Sequence, residues 1–95
     1  MPDEVTFPFE QAEAYHRAME LARECRTICK ELPKGHNSDV DQLKRASLSV
    51  CNNIAEGYGR WHIKEKQNFY AIARGSAYEC VPVLSLLHDE KEISA

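Results

Sequence analysis

The sequence predicts an all-α chain folded as an up-and-down antiparallel helical bundle, and three observations carry that expectation. Apolar residues recur in alternating steps of three and four along most of the chain, the spacing of one face of a helix. Only four Gly and four Pro occur in 95 residues, too few for a design built from turns and short strands. No run alternates apolar and polar residues as a half-buried strand would. A chain of this length is expected to form a single domain, 1–95, near the lower limit for a self-sufficient core.

The first helix is expected over about 9–32. Tyr15, Ala18, Ala22, Cys25, Cys29 and Leu32 follow one another at steps of 3, 4, 3, 4 and 3, a heptad-like stripe. Pro8 suits a first turn, where a missing N–H costs nothing, and Pro33 with Gly35 ends the helix. The second helix is expected over about 38–57, with Ser38 as N-cap and Asp39 and Asp41 at the positive end of the helix dipole. It carries two stripes, Leu43–Ala46–Val50–Ile54 and Leu48–Cys51–Ala55–Tyr58, so it requires neighbours on two sides. Gly57 and Gly59 are expected to terminate it in left-handed conformation. The third helix is expected over about 63–88, with the stripe Phe69, Ile72, Ala73, Ser76, Ala77, Cys80, Leu84 and Leu87. Gly75 costs that helix about 1 kcal/mol relative to Ala, which close approach of a neighbouring helix would offset. Pro82 predicts a kink, because it crowds the carbonyl of Tyr78.

Composition narrows the function classes. No apolar run approaches the roughly 18 residues of a membrane span, and the acidic start Met1-Pro2-Asp3-Glu4 does not read as a secretion signal, so a cytoplasmic location is expected. Cys25, Cys29, Cys51 and Cys80 lie on the apolar stripes and form no C-x-x-C pair, so they are expected to fill the core, with no metal and no cofactor. The formal charge of −3 divides unevenly: residues 34–74 carry seven basic and four acidic side chains, whereas the flanking segments are each acidic. A basic middle between acidic ends suits either a polyanion or helices paired by complementary charge.

No catalytic set emerges. The four histidines are scattered, and no metalloprotease helix, phosphate-cradling glycine loop or nucleophile elbow occurs. In Asn53-Ile54-Ala55-Glu56-Gly57-Tyr58-Gly59-Arg60 a lone carboxylate beside amides lacks the second acid or base of proton-transfer chemistry, so a structural role is expected. No small-molecule substrate is evident. Arg60-Trp61-His62, with Lys64 and Lys66 beyond, forms a basic patch whose indole could stack on an unpaired base. The alternative is that Trp61 packs on a neighbouring helix or subunit and the charges form a solvated rim. Three helices, one apolar on two faces, leave surface that self-association would cover.

A series of residues also carries a resemblance. Leu32-Pro33-Lys34, Gln42-Leu43-Lys44-Arg45-Ala46-Ser47-Leu48-Ser49-Val50, Asn53-Ile54-Ala55-Glu56-Gly57-Tyr58-Gly59-Arg60, Glu65, Phe69-Tyr70-Ala71-Ile72-Ala73-Arg74-Gly75-Ser76 and Glu79 follow in this order. From about Phe9 to Leu87 the chain resembles the four-helix-bundle proteins encoded in intervening sequences of 23S ribosomal RNA genes. The accessory variability proteins of diversity-generating retroelements look related to them. The resemblance implies a bacterial, cytoplasmic, non-enzymatic bundle assembled as a homo-oligomeric ring, a pentamer. In the retroelement branch it implies a basic surface for nucleic acid and a partner reverse transcriptase. Carried over, Lys44, Arg45, Arg60 and Arg74 match basic positions and join Trp61, Lys64 and Lys66 as candidate nucleic-acid contacts. Asn53, Glu56, Gly57, Gly59, Gly75, Ser76 and Glu79 match structural positions. The family's fourth helix is expected to be short or absent.

Overall fold

A computed structural model describes residues 12–93. Three helices occur among them and no strand: α1 (Glu13–Glu31), α2 (Asn37–Tyr58) and α3 (Ile63–Asp89). No helix among the described residues is long and apolar enough to cross a membrane. The expected positions 9–11 of the first helix, and Pro8, lie outside the described residues; Ala12 is already extended at the N-cap position of α1.

The helices alternate in direction. Ser49 meets Ser76 and Gly57 meets Tyr70, so position along α3 falls as position along α2 rises. Cys29 likewise faces Val40 across the α1–α2 turn. α2 packs against both other helices and is the central element; its first stripe is covered at Leu43, Ala46 and Val50, whereas of the second only Cys51 is buried and Leu48 and Tyr58 are exposed. The molecule measures 44 × 36 × 21 Å, the shortest dimension being about two helix diameters. Its radius of gyration is 15.1 Å, against about 12 Å for a compact chain of this length. The bundle is open.

Two groups of buried side chains hold it. Cys25, Cys29, Leu43, Ala46, Cys80, Val83 and Leu87 join all three helices, with Leu43 and Leu87 fully enclosed. Ala18, Ala22, Val50, Cys51 and Ala73 form a second, small-residue group nearer the start of α1. All four cysteines are free and buried in these groups, which is the core-filling role expected of them. Burial pushes the Cys25 thiol up to about 11, with Cys80 beside it adding to the shift, and burial raises Cys29, Cys51 and Cys80 as well. Every buried side-chain nitrogen and oxygen among the described residues has a hydrogen-bond partner. Ser47, for example, donates to the Leu43 carbonyl at 2.7 Å.

Helix ends depart from expectation in instructive ways. Leu32 is extended, as a residue before proline prefers, and Gly35 adopts a φ of 103° in the turn. α2 begins one residue early, at Asn37, so Ser38 is not its cap; His36 holds that position, with Nδ1 3.0 Å from Asp39 Oδ2. The Asp39 hydrogen bond, reinforced by the charges of Glu92 and Glu90, raises the His36 pKa despite burial acting the other way. At the far end Gly57 is inside the helix, and Gly59 caps it in right-handed conformation, φ −82°. Its N–H is shared between the Ala55 and Glu56 carbonyls, a tightening of the last turn that needs no left-handed residue. The left-handed residue appears instead after α3: Lys91, φ 62°, lets Glu92 N–H reach the Leu87 carbonyl at 2.9 Å and folds Ile93 back onto the core. α3 is continuous across Pro82.

The expected α3 stripe is buried at Ala73, Ser76, Cys80 and Leu87 and departs at one edge. Val83 is buried, whereas Ile72 faces outward. Gly75 does not mark a close approach within the chain, since a Cβ there would meet nothing within 4 Å. Gly57 does: a Cβ there would lie 2.6 Å from Tyr70 Cε1 and 3.2 Å from Phe69 Cβ.

Candidate nucleic-acid interface at the α2–α3 turn

The turn between α2 and α3 is built by the distinctive motif. Asn53 Nδ2 donates to the Ser49 carbonyl at 2.8 Å and lies 3.1 Å from Ser49 Oγ, which in turn bonds Ser76 Oγ at 2.8 Å. That chain of polar contacts ties α2 to α3 where both carry small residues. One turn further, the absent side chain of Gly57 lets Tyr70 and Phe69 close on α2. Burial raises the pKa of Tyr70, helped by Tyr58 nearby. Arg60 then folds back, its guanidinium 2.9 Å from Glu56 Oε2 and 4.7 Å above the Phe69 ring. Lys66 reaches across the turn to the Gly57 and Tyr58 carbonyls at 3.2 and 3.1 Å and lies 5.7 Å above the Tyr58 ring. It supplies the cationic cap that the last turn of α2 lacks.

Beyond this clasp the tip is bare. Trp61 is 93% exposed, and Ile63 and Tyr58 beside it are exposed too. Lys64 is exposed without an ion-pair partner among the described residues. The tip therefore places an exposed indole three residues from an exposed Lys64 without an ion pair, residues able to stack a base and neutralise a phosphate, while Arg60 next to Trp61 in the chain is held by Glu56.

The remaining expected cations are elsewhere. Lys44 and Arg45 lie fifteen or sixteen residues before Arg60 on α2, roughly 23 Å along the axis at the helical rise. Arg45 pairs with Asp41, and Arg74 stands some 15 Å along α3 from Lys64. Of the seven candidate contacts, the structure gathers Arg60, Trp61, Lys64 and Lys66 at one end and leaves Lys44, Arg45 and Arg74 apart. Arg45 and Arg60 each follow an acidic residue by four, a spacing that announces an internal pair and was readable in the sequence. Sequence reasoning missed Tyr78 and Val81, which it took for neither core nor surface feature. Their signal was that α3 carries apolar residues beyond its core-facing stripe.

Among the structural-motif positions, Asn53, Glu56, Gly57, Gly59 and Ser76 make the seam and turn contacts given above. Glu79 and Gly75 stand exposed on α3. A polar groove of about 670 Å³ runs along the α2–α3 seam beside Glu79, lined also by Arg45, Ser49, Asn52, Asn53 and Ser76. A second groove, about 320 Å³ and apolar, lies where α1, α2 and α3 splay around Ala14, Val50, Ile54, Tyr70 and Ala73.

Comparison with known proteins places these features in a family. No curated protein matches the chain. A family model described as 23S rRNA-intervening sequence protein matches residues 10–95, nearly the whole sequence, including the clasp, the bare turn and all of α3. The chain belongs to the 23S rRNA-intervening sequence protein family.

Proposed function

We propose that this chain is a non-enzymatic helical-bundle subunit that self-assembles, a pentamer on the family resemblance, and acts as a cytoplasmic, RNA-associated accessory factor. The observation that carries the RNA part is the bare turn, where Trp61 is 93% exposed between Arg60 and Lys64. An indole held clear of the protein is an expensive surface to leave in water, and a stacked base covers it while the cations meet phosphate. The cysteine thiols are buried with raised pKa values and so are poor nucleophiles, which supports a binding role over covalent chemistry.

Filter binding of a structured RNA with single-stranded loops, at 50 and 200 mM salt, tests the reading. Trp61→Ala is expected to weaken binding about tenfold or more, as loss of one stacked base does. Lys64→Glu is expected to weaken it and to flatten the salt dependence. Absence of binding, or binding indifferent to salt, removes RNA from the account.

A second reading, a protein-interaction scaffold without nucleic-acid binding, has one observation in its favour. Arg45, Arg60 and Lys66 are already engaged within the chain, so few free cations remain for phosphates. On that reading Trp61→Ala disturbs a protein contact and leaves no RNA affinity to lose.

A further inference from the structure

α3 carries two separate apolar stripes away from the core. Ile72, Glu79 and Leu86 recur every seven residues, so they share one flank of the helix. Arg74, Tyr78 and Val81, at i, i+4 and i+7, share another, about 130° away at 100° per residue. The apolar members are Ile72, 51% exposed, Leu86, 60%, Tyr78, 66%, and Val81, 57%. Four large apolar side chains more than half in water on one helix form the kind of surface that marks an interaction site. Each flank also holds one exposed charge with no hydrogen-bond or ion-pair partner among the described residues: Glu79 on the first, Arg74 on the second.

We infer that the two flanks are the complementary halves of one contact between copies of this chain, with the Arg74 flank of one copy seated on the Glu79 flank of the next. The inference rests on the self-assembly reading above and assigns its surface. Charge chooses this pairing. A two-fold contact of either flank with itself would set Arg74 against Arg74, or Glu79 against Glu79, and like charges brought together in a contact oppose it. Flank against opposite flank joins the unpaired cation to the unpaired carboxylate and buries Tyr78 and Val81 against Ile72 and Leu86. Such a contact is head-to-tail, so each copy meets one neighbour through its Arg74 flank and the other through its Glu79 flank.

Charge reversal tests it in solution. Arg74→Glu, Glu79→Arg, the double variant and the wild type are compared by sedimentation at micromolar concentration, with circular dichroism to verify that each subunit stays helical. Both positions are exposed and unpaired, so the fold is expected to tolerate the changes. Each single reversal is expected to weaken assembly about tenfold or more, since it sets like charges face to face. The double variant, which swaps the two charges, restores the wild-type mass. Single variants that assemble like wild type overturn the inference and leave self-assembly through another surface standing. A wild type that sediments as one copy overturns the inference and the self-assembly reading together. RNA binding at Trp61 is measured separately and bears on neither result.

Discussion

The two sides of α3 are built from the same kinds of residue and meet opposite fates. On the inner side Ala73, Ser76, Cys80, Val83 and Leu87 are buried against α1 and α2. On the outer side Ile72, Tyr78, Val81 and Leu86 remain in water. Leu86 and Leu87 are chain neighbours, yet one is exposed and the other is fully enclosed. The glycines repeat the contrast across the α2–α3 pair: Gly57 is needed because Tyr70 and Phe69 press on it, whereas Gly75 faces open space. Apolar composition alone thus does not say what is core. On the self-assembly proposed above, the difference lies in whether this chain or another supplies the covering surface.

The largest expected effect of that contrast is on subunit stability. Leu87→Ala removes a fully enclosed side chain from the larger buried group and is expected to cost about 2–5 kcal/mol by chemical denaturation. Leu86→Ala, one residue away, is expected to change subunit stability by only about 0.5 kcal/mol in either direction. Equal losses would erase the distinction between the two sides.

Alanine at the two glycines sharpens it with opposite signs. Gly57→Ala pushes a methyl into Tyr70 and Phe69 and is expected to destabilise by about 1–3 kcal/mol. Gly75→Ala gains helix propensity with nothing in the way and is expected to stabilise the subunit by about 1 kcal/mol. Denaturation midpoints of the two variants, measured side by side at equal slope, check both signs.

The smallest effect concerns the thiols that α3 and α1 share. Cys25, at about 11 in the fold, stands above its ordinary value of 9.0, so the folded state holds fewer ionised thiols than the unfolded one. Its contribution to stability is therefore complete below pH 9.0 and is lost as pH climbs through about 11. Stability measured from pH 8 upward is expected to fall over that window, and Cys25→Ser is expected to remove part of the fall. At pH 8 the native chain is expected to react slowly with a thiol reagent, because access requires opening of the core.

How much of this could be read beforehand follows the same line. The α1 stripe from Ala18 to Cys29 and the two-sided α2 were legible, because spacing directly encodes which side of a helix is apolar. Gly57 was misread as a terminator, since one letter serves both a turn and a close packing point and only tertiary contact separates them. Ile72 and Val83 lie eleven residues apart, within about 20° of each other at one edge of the stripe, so spacing alone does not say which of them is covered. At the turn, the exposure of Trp61 and the engagement of Lys66 with two carbonyls depend on how α3 leaves the turn, which no local spacing specifies. The i, i+4 pairs of Arg45 and Arg60, by contrast, were there to be read.

The most direct test of the account weighs the wild-type chain itself. Sedimentation equilibrium at 10 μM is expected to return a multiple of the 10.9 kDa chain mass, because α3 is apolar on flanks that one copy leaves uncovered. A stable, fully helical species at 10.9 kDa would contradict it, since the outer side of α3 would then be content in water.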